Sequence, residues 1–245
     1  MKGFVSALLL LLGVATAQAA SPVKNIVLVH GAFADGSGWE GVYRILTKDG
    51  YTVTIAQPSN ETLTGDVTAV QHVLAKQDGP VVLVGHSYGG VVITQAGNDP
   101  KVKALVYVAA FVPDVGESLQ SLNETAAAAP PIVPPENGFA VLDRAKFPAA
   151  FAADVDRDKA EFMAASQVPL GIPAFISKVT VAAWKTRPSY YIVSGDDHMI
   201  PPAAERAMAA KAKAIQVFEI KGGSHAAFVA QPDKVAKVIE QAATE

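Results

Sequence analysis

The sequence predicts a doubly wound α/β fold with a mostly parallel sheet and a helical cap inserted into it. Short apolar runs rich in β-branched residues alternate with segments whose apolar residues recur at helical spacing. This alternation is typical of a parallel sheet with helices on both faces. It is interrupted once, over about 113–188, and then resumes. A chain of 245 residues, half of them hydrophobic, can bury the core that such a fold requires.

The elements before the interruption follow from this alternation. Strands are predicted over 24–30, 51–56, 81–84 and 103–109, and helices over 39–48 and 64–77. The second helix illustrates the criterion, because Val67, Val70 and Leu74 recur at a spacing that places side chains on one helical face. After the interruption, strands are predicted over 189–193 and 215–220, and helices over 202–211 and 232–243.

The interrupting segment is rich in alanine and proline. Its prolines at 130, 131, 134 and 135 exclude regular helix or central strand there, whereas 154–165 and 177–184 are predicted as short helices. A disordered linker is the alternative. Six aromatic residues that need burial argue against it: Phe139, Phe147, Phe151, Phe162, Phe175 and Trp184. We therefore expect a cap over the sheet within one domain, 21–245.

Residues 1–20 have the features of a secretory signal. Lys2 provides the positive charge, 8–14 is the apolar stretch, and Ala17-Gln18-Ala19 is a cleavage site of small residues. A membrane anchor is the alternative, but the apolar run is shorter than the roughly 20 residues that span a bilayer. We expect an exported, periplasmic or secreted protein whose mature chain begins near Ala20 or Ser21.

Composition excludes several classes of function. The chain has no cysteine, so disulfides and thiolate metal sites are excluded. Its net charge is −3 and it has no basic stripe, so nucleic acid is not expected as a partner. No membrane partner, metal or organic cofactor is expected.

Residues 81–92 organise the rest of the chain, because they read as a buried strand, a tight turn and the start of a helix. The turn, 85–89, matches G-x-S-x-G, the pattern of a nucleophile elbow that lifts the Ser87 hydroxyl above the sheet. Glycines are needed where a side chain would collide with the neighbouring strand or helix. The Tyr88 N–H lies at the helix N-terminus, where an anion is favoured.

A serine nucleophile needs a base, and the base needs a carboxylate that fixes its tautomer. Such residues lie on loops at the carboxyl ends of strands. His225, in a loop of small residues after the last strand, is the predicted base. The other histidines fit less well: His72 is within a helix, His30 and His86 adjoin glycines in turns, and His198 lies in the expected loop of the acid. For the acid, Asp197, Asp196 and Asp114 remain candidates.

The second oxyanion donor is expected in the loop after the first strand, 30–39. Gly31 lets the backbone turn, so that the Ala32 N–H can point toward Ser87. A dinucleotide-binding loop is the alternative for a glycine-rich turn after a strand. The G-x-G-x-x-G spacing is missing, and no acidic residue ends the second strand.

Three motifs give the chain a resemblance to the α/β-hydrolase superfamily: His30-Gly31-Ala32-Phe33, Gly85-His86-Ser87-Tyr88-Gly89-Gly90 and Gly223-Ser224-His225. It resembles most the branch of plant methylesterases, hydroxynitrile lyases and secreted bacterial relatives. That branch has an acid loop of Asp, two variable residues, Ile and Pro, which 197–201 matches. The resemblance therefore favours Asp197, implies Ala32 and Tyr88 as backbone donors, and implies a helical cap.

The motifs and the resemblance imply a serine hydrolase, in particular a carboxylic ester hydrolase that acts through an acyl-enzyme. The apolar residues of the expected cap suggest a small or medium apolar ester as the substrate. Lyases of the branch carry lysine after the catalytic histidine, where this chain has Ala226, and this argues against cyanohydrin chemistry. Amide or thioester hydrolysis on the same triad is one alternative. A binding or receptor protein that keeps the fold is the other.

Overall fold

The central sheet contains six strands, and every neighbouring pair is parallel. The computed structural model describes residues 23–126 and 128–244, so the predicted signal at 1–20 lies outside it. The strands of this sheet are β1 (Asn25–Val29), β2 (Thr52–Ala56), β3 (Val81–His86), β4 (Val102–Val108), β7 (Ser189–Ser194) and β8 (Gln216–Ile220). Their order across the sheet is β2-β1-β3-β4-β7-β8. The predicted doubly wound α/β fold is confirmed.

Burial along the strands explains why most of them are continuous apolar runs in the sequence rather than alternating apolar and polar residues. Every residue of β1, β3 and β7 is buried, as expected for parallel strands covered on both faces. The edge strand β8 instead alternates between exposed and less exposed residues. Five of the six strands lie within one residue of the predicted ranges, and β3 extends two residues further than predicted, to His86, directly before the predicted nucleophile.

Helices cover both faces of the sheet and build the cap. Their bounds are α1 (Glu40–Lys48), α2 (Leu63–Ala75), α3 (Gly89–Ala96), α4 (Leu119–Thr125), α5 (Phe147–Phe151), α6 (Arg157–Ala165), α7 (Ile172–Ile176), α8 (Pro202–Lys211), α9 (Ala227–Ala230) and α10 (Pro232–Thr244). The first predicted helix starts late, because Gly36–Trp39 forms a 3-10 turn capped by Asp35. No helix within the described residues is long and apolar enough to cross a membrane.

The segment between β4 and β7 carries α4 to α7 and a short antiparallel pair, β5 (Phe139–Ala140) with β6 (Leu170–Gly171). The helix predicted over 154–165 is present as α6, and it begins after Asp156, whose carboxylate caps it. The helix predicted over 177–184 is wrong. Pro173 starts a helix earlier, and Ser177 ends it in an extended conformation.

Burial of the aromatic residues in this segment follows the prediction only in part. Phe147 and Phe151 are fully buried and their rings stack at 4.7 Å between centroids. Phe139 and Phe162 are exposed instead. Two aromatic residues therefore anchor the cap core, and the exposed pair shows that aromatic content alone overstates how much of the cap is buried.

Candidate active site

Four candidate residues follow four strands at one edge of the sheet. Ala32 follows β1, Ser87 follows β3, Asp197 follows β7 and His225 follows β8. Because the strands are parallel, their carboxyl ends share this edge, which is where doubly wound folds place their functional loops.

The turn that carries Ser87 has a strained backbone. Ser87 has φ +53°, in the left-handed region that side chains rarely adopt. Gly85 and Gly89 make the turn possible. A Cβ on Gly85 would lie 2.6 Å from the Gly89 carbonyl oxygen, and one on Gly89 would lie 2.7 Å from the His30 carbonyl oxygen. The Ser87 N–H donates to the Val108 carbonyl at 3.2 Å, so β4 helps hold the turn.

His225 and Asp197 form a buried hydrogen-bonded pair. His225 Nδ1 lies 2.6 Å from Asp197 Oδ2, and both side chains are almost fully buried. The other carboxylate oxygen of Asp197 accepts from the backbone N–H groups of Met199 and Ile200 at 2.6 and 2.8 Å. With the carboxylate fixed as the acceptor, Nδ1 donates and the neutral imidazole keeps its lone pair on Nε2.

The second ring nitrogen of His225, Nε2, is the one that is available to accept a proton. His225 Nε2 is buried and has no hydrogen-bond partner among the described residues. The His86 ring lies 4.6 Å from the His225 ring between centroids, and His86 Nε2 donates to the His225 carbonyl at 2.9 Å. His86 directly precedes Ser87, so this contact brings the base next to the elbow.

The competing acids and bases occupy other environments. The Asp196 side chain is mostly exposed and lies 3.4 Å from His198 Nε2, as expected for a neighbour of the acid. Asp114 pairs with Lys185 at 2.5 Å, and this hydrogen bond lowers the pKa of its carboxyl. Neither of these carboxylates contacts His225, whereas Asp197 does.

The remaining histidines lie in environments that do not suit a catalytic base. His72 is exposed on α2. His30 is buried, burial lowers its pKa, and its Nδ1 lies 2.9 Å from the Gly31 carbonyl. His86 is fully buried, and burial lowers its pKa well below the usual value. His86 therefore acts as a neutral hydrogen-bond donor to the loop of His225.

A small cavity of about 40 Å³ is lined by Ser87, Ala32 and Tyr88, together with Phe111. The cap contributes six further lining residues: Leu119, Asn123, Pro130, Ile132, Leu170 and Phe175. Trp184, the last aromatic residue of the cap, is not among the lining residues; its indole N–H donates to the Pro113 carbonyl at 2.8 Å. A cavity of this volume holds a few water molecules.

A second carboxyl group lies beside Asp197 and was not predicted. Glu205, in the first turn of α8, is fully buried and accepts from the Ser194 N–H at 3.0 Å. Its Oε1 has no hydrogen-bond partner among the described residues. Burial and the charge of the neighbouring Asp197 raise the pKa of Glu205 well above the usual value, so the carboxyl group stays protonated. Its position among buried Met208 and Ala209 on α8 is the sequence signal.

The fold, the elbow and the buried pair can be compared with known proteins. A family model described as the alpha/beta hydrolase family matches residues 26–238. The chain belongs to the α/β hydrolase family. Within the described residues, no cluster of three or more metal-ligating side chains is found.

Relatives include several proteins named as esterases. A carbendazim hydrolyzing esterase of Nocardioides sp. is 39% identical over 129 residues, which cover 46% of this chain and 50% of that protein. A putative chloroplastic methylesterase of Arabidopsis thaliana is 24% identical, covering 89% of this chain and 56% of its own length. The chain thus spans about half the length of these two relatives.

The solved structure of polyneuridine aldehyde esterase superposes with a TM-score of 0.76. It is 22% identical and covers 89% of this chain and 98% of its own. The agreement supports the fold over nearly the whole described length. The predicted resemblance to the branch of plant methylesterases is confirmed by these relatives.

Replacing Glu205 by glutamine should change how stability depends on pH. The raised pKa means that the folded state binds this proton more tightly than the unfolded chain, whose glutamate pKa is about 4.3. The free energy of unfolding of wild type should therefore fall as pH rises above about 4.3, by at most about 1.4 kcal/mol per pH unit from this group. Glu205→Gln removes that loss, and its amide oxygen can still accept from the Ser194 N–H.

Urea unfolding of both proteins from pH 5 to pH 8 measures this difference. The variant should gain stability relative to wild type toward pH 8. Glu136→Gln, which changes an exposed glutamate, is the control and should follow wild type. A constant difference between Glu205→Gln and wild type across the range would show that Glu205 is ionised in the folded protein.

Proposed function

We propose that the protein is a serine esterase in which Ser87, His225 and Asp197 form the catalytic triad. One observation carries the proposal. The buried His225 ring is held by Asp197 at 2.6 Å, its Nε2 has no partner in the described part of the chain, and it lies beside an elbow that presents Ser87 in a left-handed conformation. This is the arrangement in which a histidine lone pair takes the proton of a serine hydroxyl.

The reaction proceeds in two halves. His225 Nε2 accepts the Ser87 proton as Oγ bonds to the ester carbonyl carbon, and Asp197 stabilises the imidazolium that forms. His225 then gives this proton to the alcohol that leaves, which produces an acyl-enzyme. A water molecule deprotonated by His225 attacks the acyl carbon, and the acid is released as Ser87 regains its proton.

The backbone N–H groups of Ala32 and Tyr88 form the proposed oxyanion hole. Both residues are buried and line the same cavity as Ser87. Tyr88 is the N-cap residue of α3, and the first N–H groups of a helix have no partner within the helix. Donors fixed before the reaction are effective because they need no reorganisation as charge develops on the carbonyl oxygen.

Two observations support ester bonds as the target. The compared relatives are named as esterases, and the cavity beside Ser87 is lined mainly by apolar side chains. A small or medium apolar ester fits such a lining.

Lyase chemistry and simple ligand binding are less well supported. Ala226 is fully buried directly after His225, so no ammonium group lies at the position where lyases of the related branch carry one. A binding protein has no need for a histidine whose tautomer is fixed by a buried carboxylate. Both observations favour hydrolysis.

We also propose that the protein is exported, and that 1–20 is removed as a signal. The charged start, the apolar stretch and the small residues at 17–19 support this. Expression of the full chain in bacteria, followed by fractionation and N-terminal sequencing, tests it. A cytoplasmic product that retains 1–20 would contradict export.

Ser87→Ala should abolish ester hydrolysis while the protein stays folded. Loss of the nucleophile in a triad enzyme costs on the order of a million-fold in kcat. Hydrolysis of p-nitrophenyl acetate and labelling by a fluorophosphonate both measure this, with circular dichroism as the control for folding. Activity of the variant above about a hundredth of wild type would overturn the assignment, and failure of wild type to be labelled would favour a binding protein.

Asp197→Asn should be far more damaging than Asp196→Asn. Asparagine at 197 leaves no carboxylate to hold the His225 tautomer, and loss of this function costs on the order of 10⁴-fold in kcat in a related triad. Asp196 is the matched control, because it is the adjacent aspartate and is mostly exposed. The measurement is kcat/KM of both variants on one activated ester. Equal effects of the two substitutions would show that Asp197 was wrongly assigned as the acid. If both variants stay active, Asp114 becomes the candidate.

Cap residues at the cavity should control which ester is accepted. Phe175→Ala enlarges the cavity and should shift the preference between acetyl and longer acyl esters by tens of fold, since a hydrophobic pocket discriminates by roughly 1–3 kcal/mol per methylene. Phe162→Ala is the matched control in the same cap, because Phe162 is exposed and is not a lining residue. An unchanged ratio of kcat/KM across the acyl series in folded Phe175→Ala would exclude the cap as the selectivity element.

A further inference from the structure

The two proposed oxyanion amides lie on different elements, yet one buried polar network joins them. Asn60, in the loop after β2, and Asp66, in the first turn of α2, are both fully buried. We propose that Asn60 and Asp66 are positioning residues that fix the Ala32 and Tyr88 amides relative to each other, a role that rests on the proposed esterase function.

The first part of the network fixes the peptide between Gly31 and Ala32. The Gly31 carbonyl oxygen lies 3.2 Å from Asn60 Nδ2, which donates to it, and 2.9 Å from His30 Nδ1. Since a carbonyl oxygen only accepts, His30 donates from Nδ1. A trans peptide is planar and its N–H points opposite to its C=O. Two donors on the Gly31 oxygen therefore also set the direction of the Ala32 N–H.

The second part of the network fixes the residue after the nucleophile. The Tyr88 hydroxyl donates to Asp66 Oδ2 at 2.7 Å, and Tyr88 is fully buried. This bond ties the side chain of Tyr88 to α2, while its backbone N–H lies at the start of α3. A shift of the Asp66 carboxylate would therefore be transmitted to the backbone beside Ser87.

One hydrogen bond connects the two parts. The Asn60 N–H donates to Asp66 Oδ1 at 2.9 Å, so the carboxylate accepts from Asn60 and Tyr88 at once. Asn60 has φ +61°, a conformation that asparagine tolerates better than most side chains. Its carbonyl accepts from the Gly171 N–H of the cap at 2.8 Å. Asn60 is thus held from three directions and has little freedom to reorient.

A fold-stabilising role alone does not require this arrangement. Asp66 interrupts the apolar face of α2 between Leu63 and Val67, and burial raises the pKa of its carboxyl. Burying a polar group costs free energy unless it is hydrogen-bonded. The bonds formed here end on the peptide of one oxyanion donor and on the side chain of the other.

Asn60→Gly tests the positioning role with little backbone strain, because glycine adopts positive φ readily. The variant loses the donor to the Gly31 carbonyl and keeps the N–H that donates to Asp66. Displacements of about 1 Å in an active site can cost a hundredfold in rate. We expect kcat on p-nitrophenyl acetate to fall roughly ten- to a hundredfold with KM nearly unchanged.

A transition-state analogue separates positioning from loss of stability. A trifluoromethyl ketone bonds to the serine Oγ and places an oxyanion in the hole, so its Ki should rise by the same factor by which kcat/KM falls. Asn25→Gly is the matched control. Asn25 is a buried asparagine whose side chain donates to Asp78 at 2.9 Å, and it lies at the start of β1, the opposite edge of the sheet. It should lower the melting temperature without changing kcat or Ki.

Tyr88→Phe provides a second variant, which keeps the proposal falsifiable if Asn60→Gly does not fold. It removes the hydroxyl that reaches Asp66 and keeps the backbone N–H of the hole. Its kcat should fall and its Ki should rise together, by roughly tenfold.

The outcomes distinguish this proposal from the proposed function. If wild type is labelled by a fluorophosphonate and inhibited by the ketone, but the folded variants keep wild-type kcat and Ki, the positioning role is overturned and the esterase stands. If Asn25→Gly, at a matched loss of stability, changes kcat and Ki by the same factors as Asn60→Gly, the network has only a structural role. If wild type is neither labelled nor inhibited, the proposed function itself fails.

Discussion

The close approach of α3 to β1 beneath Ser87 is the constraint on which the rest of the site depends. A Cβ on Gly89 would lie 2.7 and 2.8 Å from the carbonyl oxygens of His30 and Val29, atoms that cannot move without disturbing β1. This approach lets Ser87 adopt φ +53° while its N–H remains bonded to Val108 of β4. Strained backbone of this kind persists only where its surroundings determine it. The packing of α3 against the sheet therefore sets the orientation of Ser87.

Three carboxyl groups are buried among the described residues, and their environments assign them different states. Asp197 accepts from His225 and from two backbone N–H groups, which suits an anion. Glu205 has Asp197 as its neighbour, and burial and that charge raise its pKa so that it stays protonated. Asp66 is buried away from the triad and accepts from Tyr88 and Asn60. His225 thus faces the single negative charge of Asp197, because the neighbouring Glu205 carboxyl group is neutral.

The sequence was sufficient for the sheet, and strong local signals also mark the residues of the proposed triad. The G-x-S-x-G turn marks Ser87, and each partner follows a buried strand. Between Asp196 and Asp197 the residues alone left the choice open, since exposure decides it and adjacent positions share a loop. Asn60 was missed because the Gly31 carbonyl that its side chain contacts belongs to a separate loop. Glu205 was missed because its environment depends on how α8 packs against the end of β7. A polar residue within an apolar helical face was the available signal for Glu205. The helix predicted over 177–184 is absent, because Pro173 starts a helix earlier and that helix ends before Ser177.

Backbone hydrogen bonds connect the two halves of the cap to the site in different ways. The half that contains Phe151 and Val168 bonds directly to two loops of the proposed site. The Phe33 N–H donates to the Val168 carbonyl at 3.0 Å, and the Ala226 N–H donates to the Phe151 carbonyl at 2.9 Å. The half that carries α4 bonds elsewhere, with the Gly116 N–H donating to Val179 at 2.9 Å. Both halves line the cavity. A change around Val168 therefore alters the loop that carries Ala32 as well as the cavity, whereas a change in α4 alters mainly the cavity shape. For the proposed esterase, substrate preference can consequently change through α4 while the geometry of the proposed triad is kept.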